Sequence, residues 1–258
     1  MKRQRLSMVL TTVLLLGLLS LSQVEAASYP FEGLVLKIAY DFDFWPENDR
    51  TVGTELDENG FFSSAAEAGY STMFMGTKDA AFKDSGEVSG LGFRHESIVE
   101  ESGNQYYVAF ALSQRHEKNP NGQETFPNAK FFTFYVDTTN YARDLELYPI
   151  IYEQDYNLDG SEAEESCLSI ADKSIYYVKD LDGNVTTLVS GNNYITIPQN
   201  FQGRVYLPLD KYVPMWGTKD VNNKFDGLKI DRYHFSFINI GDKGEWVNFD
   251  EFGFLLEQ

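Results

Sequence analysis

The stretch from Lys229 to Leu256 reads KIDRYHFSFINIGDKGEWVNFDEFGFLL, and the class of the fold follows from it. Two runs rich in β-branched and aromatic residues flank Gly241-Asp242-Lys243-Gly244, so the stretch predicts a β-hairpin. The first run has period two: Tyr233, Phe235 and Phe237 fall on one side, Arg232, His234 and Ser236 on the other. The second repeats the pattern, with Val247 and Phe249 against Trp246, Asn248 and Asp250. One side of each strand is built for burial, and the other carries polar and aromatic groups.

The same alternation recurs upstream. In Gln105 to Arg115, Tyr106, Val108, Phe110 and Leu112 form the apolar set and leave Tyr107 on the other side. In Lys130 to Asp137, Phe132, Phe134 and Val136 point inward, with Thr133 and Tyr135 outward. Further strands are expected at Tyr29 to Trp45, Tyr70 to Met75, Gly90 to Glu96, Leu145 to Asp155, Tyr194 to Pro198 and Arg204 to Leu209. Ser174 to Lys179 and Val185 to Val189 read as a hairpin around Asp180-Leu181-Asp182-Gly183-Asn184. Residues 46–60 and the acidic stretch after Asp155 read as loops, and Ala65 to Ala68 as one helical turn stopped by Gly69. About ten or eleven short strands at near-regular spacing predict an all-β chain folded as an antiparallel two-sheet β-sandwich of the jelly-roll kind.

The first 26 residues stand apart. Lys2, Arg3 and Arg5 precede the apolar run Met8 to Leu21, and Val24-Glu25-Ala26 follows as a small-x-small site. This is the layout of a secretory signal peptide cleaved after Ala26, and it predicts an exported protein of one domain, 27–258. No later stretch is apolar enough to predict a membrane span. With 39 acidic against 21 basic residues the net charge is −18. Such a chain is ill-suited to nucleic acid or anionic membranes, and polyanionic glycans would be repelled unless an Arg cluster intervened. The single cysteine, Cys167, rules out an intramolecular disulfide and a Cys-based zinc site.

Four segments carry a resemblance. Asn200 to Leu209, NFQGRVYLPL, resembles a strand of bacterial carbohydrate-binding modules with the galactose-binding-like jelly roll. Asp41-Phe42-Asp43 is similar to the end of their first strand, Phe134-Tyr135-Val136-Asp137 to their middle strand, and Val247 to Phe254 to their closing strand. The chain is longer than most such modules, and it is expected to stand without an attached catalytic domain. The resemblance implies a structural calcium, with Asp43 and Asp250 as ligands and Asp41 in reserve; paired carboxylates suit an ion that takes six to eight oxygen donors. Asp155-Tyr156-Asn157-Leu158-Asp159-Gly160 opens like an EF-hand loop, but Ser166 stands where a bidentate carboxylate belongs, so it reads as an acidic turn.

For a ligand, strand parity puts Tyr107, Tyr135, Arg204, Tyr206, Arg232, His234 and Trp246 on outward faces, and these are expected to form one continuous platform. Sugar rings stack their C–H faces on aromatics and need polar partners for their hydroxyls. Exposed strands also carry Tyr, Thr and Arg for β-propensity alone. Trp45 and Trp216 offer a competing site at the loop rim. No catalytic residue is assigned. Paired glycosidase carboxylates, H-E-x-x-H, G-x-S-x-G and a P-loop are all absent. The expected function is a secreted, non-catalytic binder of a polysaccharide or oligosaccharide, of undetermined oligomeric state. The alternatives are a polysaccharide-degrading enzyme drawing Arg232, His234 and Tyr206 together on one face, and an extracellular structural or adhesive protein.

Overall fold

Alternating strands sort into two antiparallel sheets that pack face to face. The computed structural model describes residues 28–40, 50–52, 61–63, 73–77, 91–95, 108–113, 125–156, 162–215, 224–227, 230–238 and 246–258. The chain divides into two compact units, Met1–Gly33 and Leu34–Gln258, and the second builds the sandwich. Numbered along the chain, nine strands form one sheet: β1 (Val35–Tyr40), β2 (Arg50–Val52), β4 (Met73–Thr77), β5 (Leu91–His95), β7 (Ala129–Asp137), β10 (Ile175–Asp180), β11 (Val185–Val189), β13 (Gln202–Pro208) and β16 (Trp246–Leu256). Their order is β11-β10-β13-β7-β16-β5-β4-β2, with β1 also paired to β16. Seven form the other: β3 (Phe61–Ser63), β6 (Val108–Ser113), β8 (Leu145–Tyr156), β9 (Glu162–Ile170), β12 (Ile195–Ile197), β14 (Tyr212–Pro214) and β15 (Ile230–Phe237). Their order is β14-β9-β8-β15-β6-β3, with β12 on β8.

The C-terminal stretch does not form the expected hairpin. β15 lies between β8 and β6, and β16 between β7 and its partners β5 and β1, so the two runs belong to opposite sheets. Their apolar sides meet across the core. Phe235 lies 5.4 Å from Phe249 and 5.1 Å from Phe252, and Phe132 of β7 stacks on Tyr233 at 5.6 Å with planes 2° apart. A hairpin and a crossing between layers demand the same period-two pattern, so parity could not separate them. The β10–β11 hairpin pairs as expected, Lys179 with Val185 through Ile175 with Val189.

Inward parity held in β7, β15 and β16; the apolar set expected at Tyr106, Val108, Phe110 and Leu112 has its side chains outside the described residues. Phe132, Phe134 and Val136 of β7, Tyr233 and Phe235 of β15, and Phe249, Phe252 and Phe254 of β16 are buried in one aromatic core. The β9 strand was expected to be loop, because its first half is acidic. Its second half buries Ser166, Cys167, Leu168, Ser169 and Ile170, and Ser169 Oγ satisfies itself on the carbonyls of Pro149 and Asn193. Of the loop expected at 46–60, Arg50–Val52 is β2. β3 and β14 were also missed; with three residues each, they show too little periodicity to read. Residues 65–69 lie outside the described residues, as do residues 157–161 of the EF-hand-like segment, which falls between β8 and β9.

Two features tie the layers and strands together. Tyr176 of β10 reaches across the core to β12, where its hydroxyl donates to the Thr196 carbonyl (2.6 Å) and accepts from the Thr196 N–H (2.9 Å). Gly203 lets β13 press against β10, since a Cβ there would run into the Lys179 carbonyl. The only helical element among the described residues is a 3-10 turn at Leu209–Lys211.

Candidate functional site

Register fixes which side chains share the outward face of the nine-stranded sheet. Three transverse rows cross it. Tyr177, Tyr206 and Thr133 form one, Lys179, Arg204, Tyr135 and Asp250 the next, and Gln202, Asp137 and Asn248 the third. The residues come from four adjacent strands, β10, β13, β7 and β16, whose inward neighbours Val178, Val205, Phe134 and Phe249 are anchored in the core. Core packing therefore holds the outward set in place.

Arg204 is committed to the protein itself. Its Nη2 forms an ion pair with Glu251 Oε2, Nη1 lies 3.5 Å from both Thr133 Oγ1 and the Glu251 carbonyl, and the guanidinium covers the Tyr135 ring at 4.0 Å from the centroid. Both partners of the ion pair are buried. The pairing depends on a bulge: the β16–β7 register shifts between Asp250 and Gly253, and Glu251 takes φ 43°. The bulge sits where β16 changes partner from β5 to β1. Asp250 Oδ1 accepts the Glu251 N–H at 2.7 Å.

Beyond this pair the face is dominated by acceptors. Asp137 Oδ1 accepts from the Thr139 N–H (2.8 Å) and hydroxyl (2.6 Å), and Oδ2 accepts from Gln202 Nε2 (3.1 Å). Asn248 stands opposite Asp137 and is only 6% exposed; its Oδ1 has no hydrogen-bond partner among the described residues. Such an acceptor costs free energy until a donor reaches it. The aromatic row opens toward the sheet edge: Tyr206 is 9% exposed, Tyr177 opposite it is half-buried, and Thr187 beyond is exposed. Aromatic rings on the same face as an acceptor in need of a donor suit an extended ligand with apolar C–H faces and hydroxyl donors.

The predicted platform is divided. Tyr135, Arg204 and Tyr206 come together on the nine-stranded sheet, and Asp250, almost fully buried, lies on the same face. His234 is on the other sheet. It faces Ile150 of β8 and Ala111 of β6, stacks on Tyr152 (6.0 Å, planes 12° apart), and sets Nε2 3.2 Å from Ser236 Oγ. Ile150, Cys167 and Met215 form a small apolar cluster on this side. Arg232 lies in β15 and Trp246 begins β16, but their side chains lie outside the described residues. Tyr107, Trp216, Trp45, Asp41 and Asp43 also lie outside them. One continuous surface is therefore overturned, and with it the enzyme arrangement that drew Tyr206 and His234 together. Parity within a strand cannot say which sheet the strand joins.

Sequence reading did not single out Asn248, Asp137, Gln202, Tyr177 or Glu251 for the site. Asn248 shares parity with Asp250, and Asp137 and Gln202 sit at strand ends, so the signal was present but faint. The bulge that turns Glu251 toward Arg204 has no sequence mark.

No protein-family model matches the chain, and no curated protein matches it in sequence. Solved structures do. The chain is similar to the family 11 carbohydrate-binding module of the cellulosomal cellulase Lic26A-Cel5E of Clostridium thermocellum, with 15% identity over 86% of this chain and 95% of that one and a TM-score of 0.42. A family 11 module from the same organism, in complex with a β-1,3-1,4-mixed-linked tetrasaccharide, matches with 15% identity over 81% of this chain and 98% of that one, at a TM-score of 0.42. The C-terminal family 22 carbohydrate-binding module of Clostridium thermocellum Xyn10B matches with 9% identity over 81% and 93% of the two chains, at a TM-score of 0.32.

Proposed function

We propose that this protein is an exported, non-catalytic carbohydrate-binding protein that holds a glycan on the outward face of its nine-stranded sheet. The observation that carries the reading is that Tyr177 and Tyr206 share that face with Asn248, two rows away, whose buried Oδ1 has no hydrogen-bond partner among the described residues. One sugar ring stacks on the tyrosines, and a hydroxyl of another ring further along the same glycan donates to Asn248. Arg204 acts by fixing Tyr135 and Glu251 and not as a free hand for the ligand. The N-terminal layout supports export. Calcium belongs to the same proposal. Among the described residues no cluster of three His, Cys, Asp or Glu is assembled for a metal. The donor set at Asp250 would therefore need Asp41 and Asp43, which directly follow β1 in sequence. All three are hard oxygen donors that fit the ion, and calcium would tie the first strand to the last.

The test is affinity electrophoresis through gels cast with a panel of polysaccharides, with released reducing and unsaturated ends measured in parallel. Retardation on at least one glycan without new ends is expected, weakened in Tyr206→Ala and Asn248→Leu and unchanged in His234→Ala. Mobility unaltered by every glycan would reject the reading; loss of binding in His234→Ala alone would move the site to the other sheet.

A further inference from the structure

Among the described residues β11 ends one side of the nine-stranded sheet, and it lacks the usual protections of an edge. Natural edges carry lysines, prolines or bulges that block pairing with another chain. β11 reads Val-Thr-Thr-Leu-Val, with no charge or proline, and it pairs with β10 without a register shift. It ends the strand order. Thr186, Thr187 and Val189 are exposed, and Val189 (60%) and its neighbour Ile175 (50%) are the most exposed large apolar side chains among the described residues.

The hydrogen-bond phase of this edge can be read. Asp180 N–H donates to the Asn184 carbonyl at 3.0 Å, and Ser190 N–H donates to the Ser174 carbonyl at 2.9 Å. Bonded and non-bonded pairs alternate along an antiparallel ladder. Thr186 and Leu188 are then bonded to β10, and the N–H and C=O groups of Val185, Thr187 and Val189 point away from it. The edge is also self-complementary. When a second β11 is laid antiparallel about a two-fold axis at Thr187, Thr187 meets its own counterpart and Val185 meets Val189 of the second copy. Every outward N–H and C=O finds a partner. The side-chain pairs formed are Thr with Thr, Val with Val, and Thr186 with Leu188, all favourable across strands.

We infer that the protein self-associates as a two-fold dimer through β11, joining two nine-stranded sheets into one continuous sheet. The dimer buries Val189 against Val185 and runs the outward faces of both copies into one surface, independently of what that surface binds.

Sedimentation across the micromolar to millimolar range tests the association, and cysteine cross-linking tests the register. Cys167 is fully buried, so an introduced thiol reacts without competition from it. Thr187→Cys is expected to form a covalent dimer on mild oxidation, because bonded antiparallel partners lie about 5.5 Å apart at Cα, within disulfide reach. Thr186→Cys, which faces Leu188, is expected to stay uncrosslinked. Thr187→Pro removes an N–H that β10 does not use, so it should abolish association with an unchanged far-UV circular dichroism spectrum; Thr187→Lys serves if the proline variant fails to fold. A protein that sediments as a monomer throughout, a Thr187→Cys variant no more cross-linked than Thr186→Cys, or a dimer indifferent to a charge at Thr187 would overturn the inference.

Discussion

At Arg204 a residue that looks like a ligand contact proves to be a structural one. Arg and Glu are rarely buried unless paired, and here each neutralises the other while the Tyr135 ring covers the cation. Removing one partner of such a pair strands the other charge away from water. Glu251→Gln is therefore expected to destabilise the fold by about 3 kcal/mol. For a chain of this size that corresponds to a fall in melting temperature of roughly 10 °C. Replacing both residues, as Arg204→Met with Glu251→Gln, should restore much of the loss, because no charge is left without its partner. Thermal denaturation of the two variants checks this, and a single variant as stable as the wild type would show that the pair contributes nothing. No sequence pattern marks the pair, since Arg204 and Glu251 are distant along the chain and meet only through a bulge.

At the scale of elements, the Tyr176 clamp couples the two sheets and makes their union sensitive to alkali. Burial pushes the Tyr176 phenol from 10.0 up to about 12, partly offset by its bond to the Thr196 backbone. Burial also pushes Tyr212 upward. Both groups keep their protons longer folded than unfolded. The Tyr176 contribution is thus fully present below pH 10 and is lost as pH rises toward and through 12, and that of Tyr212 falls in the same direction. The Tyr176 share of that loss is on the order of 3 kcal/mol. Denaturant titrations between about pH 9 and pH 12 should show stability falling with pH. Tyr176→Phe should reduce that slope while costing about 1–3 kcal/mol at neutral pH, because the Thr196 N–H and carbonyl lose their partner. An unchanged slope in Tyr176→Phe would place the alkaline loss elsewhere. The phenol's inward parity was legible from β10; its partner on β12 was not, because the bond crosses the core between strands of different sheets.

At the scale of the molecule, the charge of −18 is carried by a fold without disulfides, so stability rests on the core and on any bound ion. If calcium ties Asp250 to Asp41 and Asp43, chelation should lower the melting temperature by several degrees, and added calcium should restore it. A ligand that binds only the native state stabilises it by mass action. Identical melting curves in chelator and in calcium would remove the ion from the account.

The sequence by itself determined which residues of β7, β15 and β16 face inward, where the β10–β11 hairpin turns, and that the chain is all-β in two layers. These follow from a period of two, which each strand carries within itself. Only the tertiary structure decided that Tyr135, Arg204 and Tyr206 part company with His234, that the two C-terminal runs face each other across the core, and that Glu251 swings toward Arg204. A strand's alternation records that one face must be buried, but it is blind to which sheet will bury it. That choice is made by pairings and ring contacts between residues far apart in the chain.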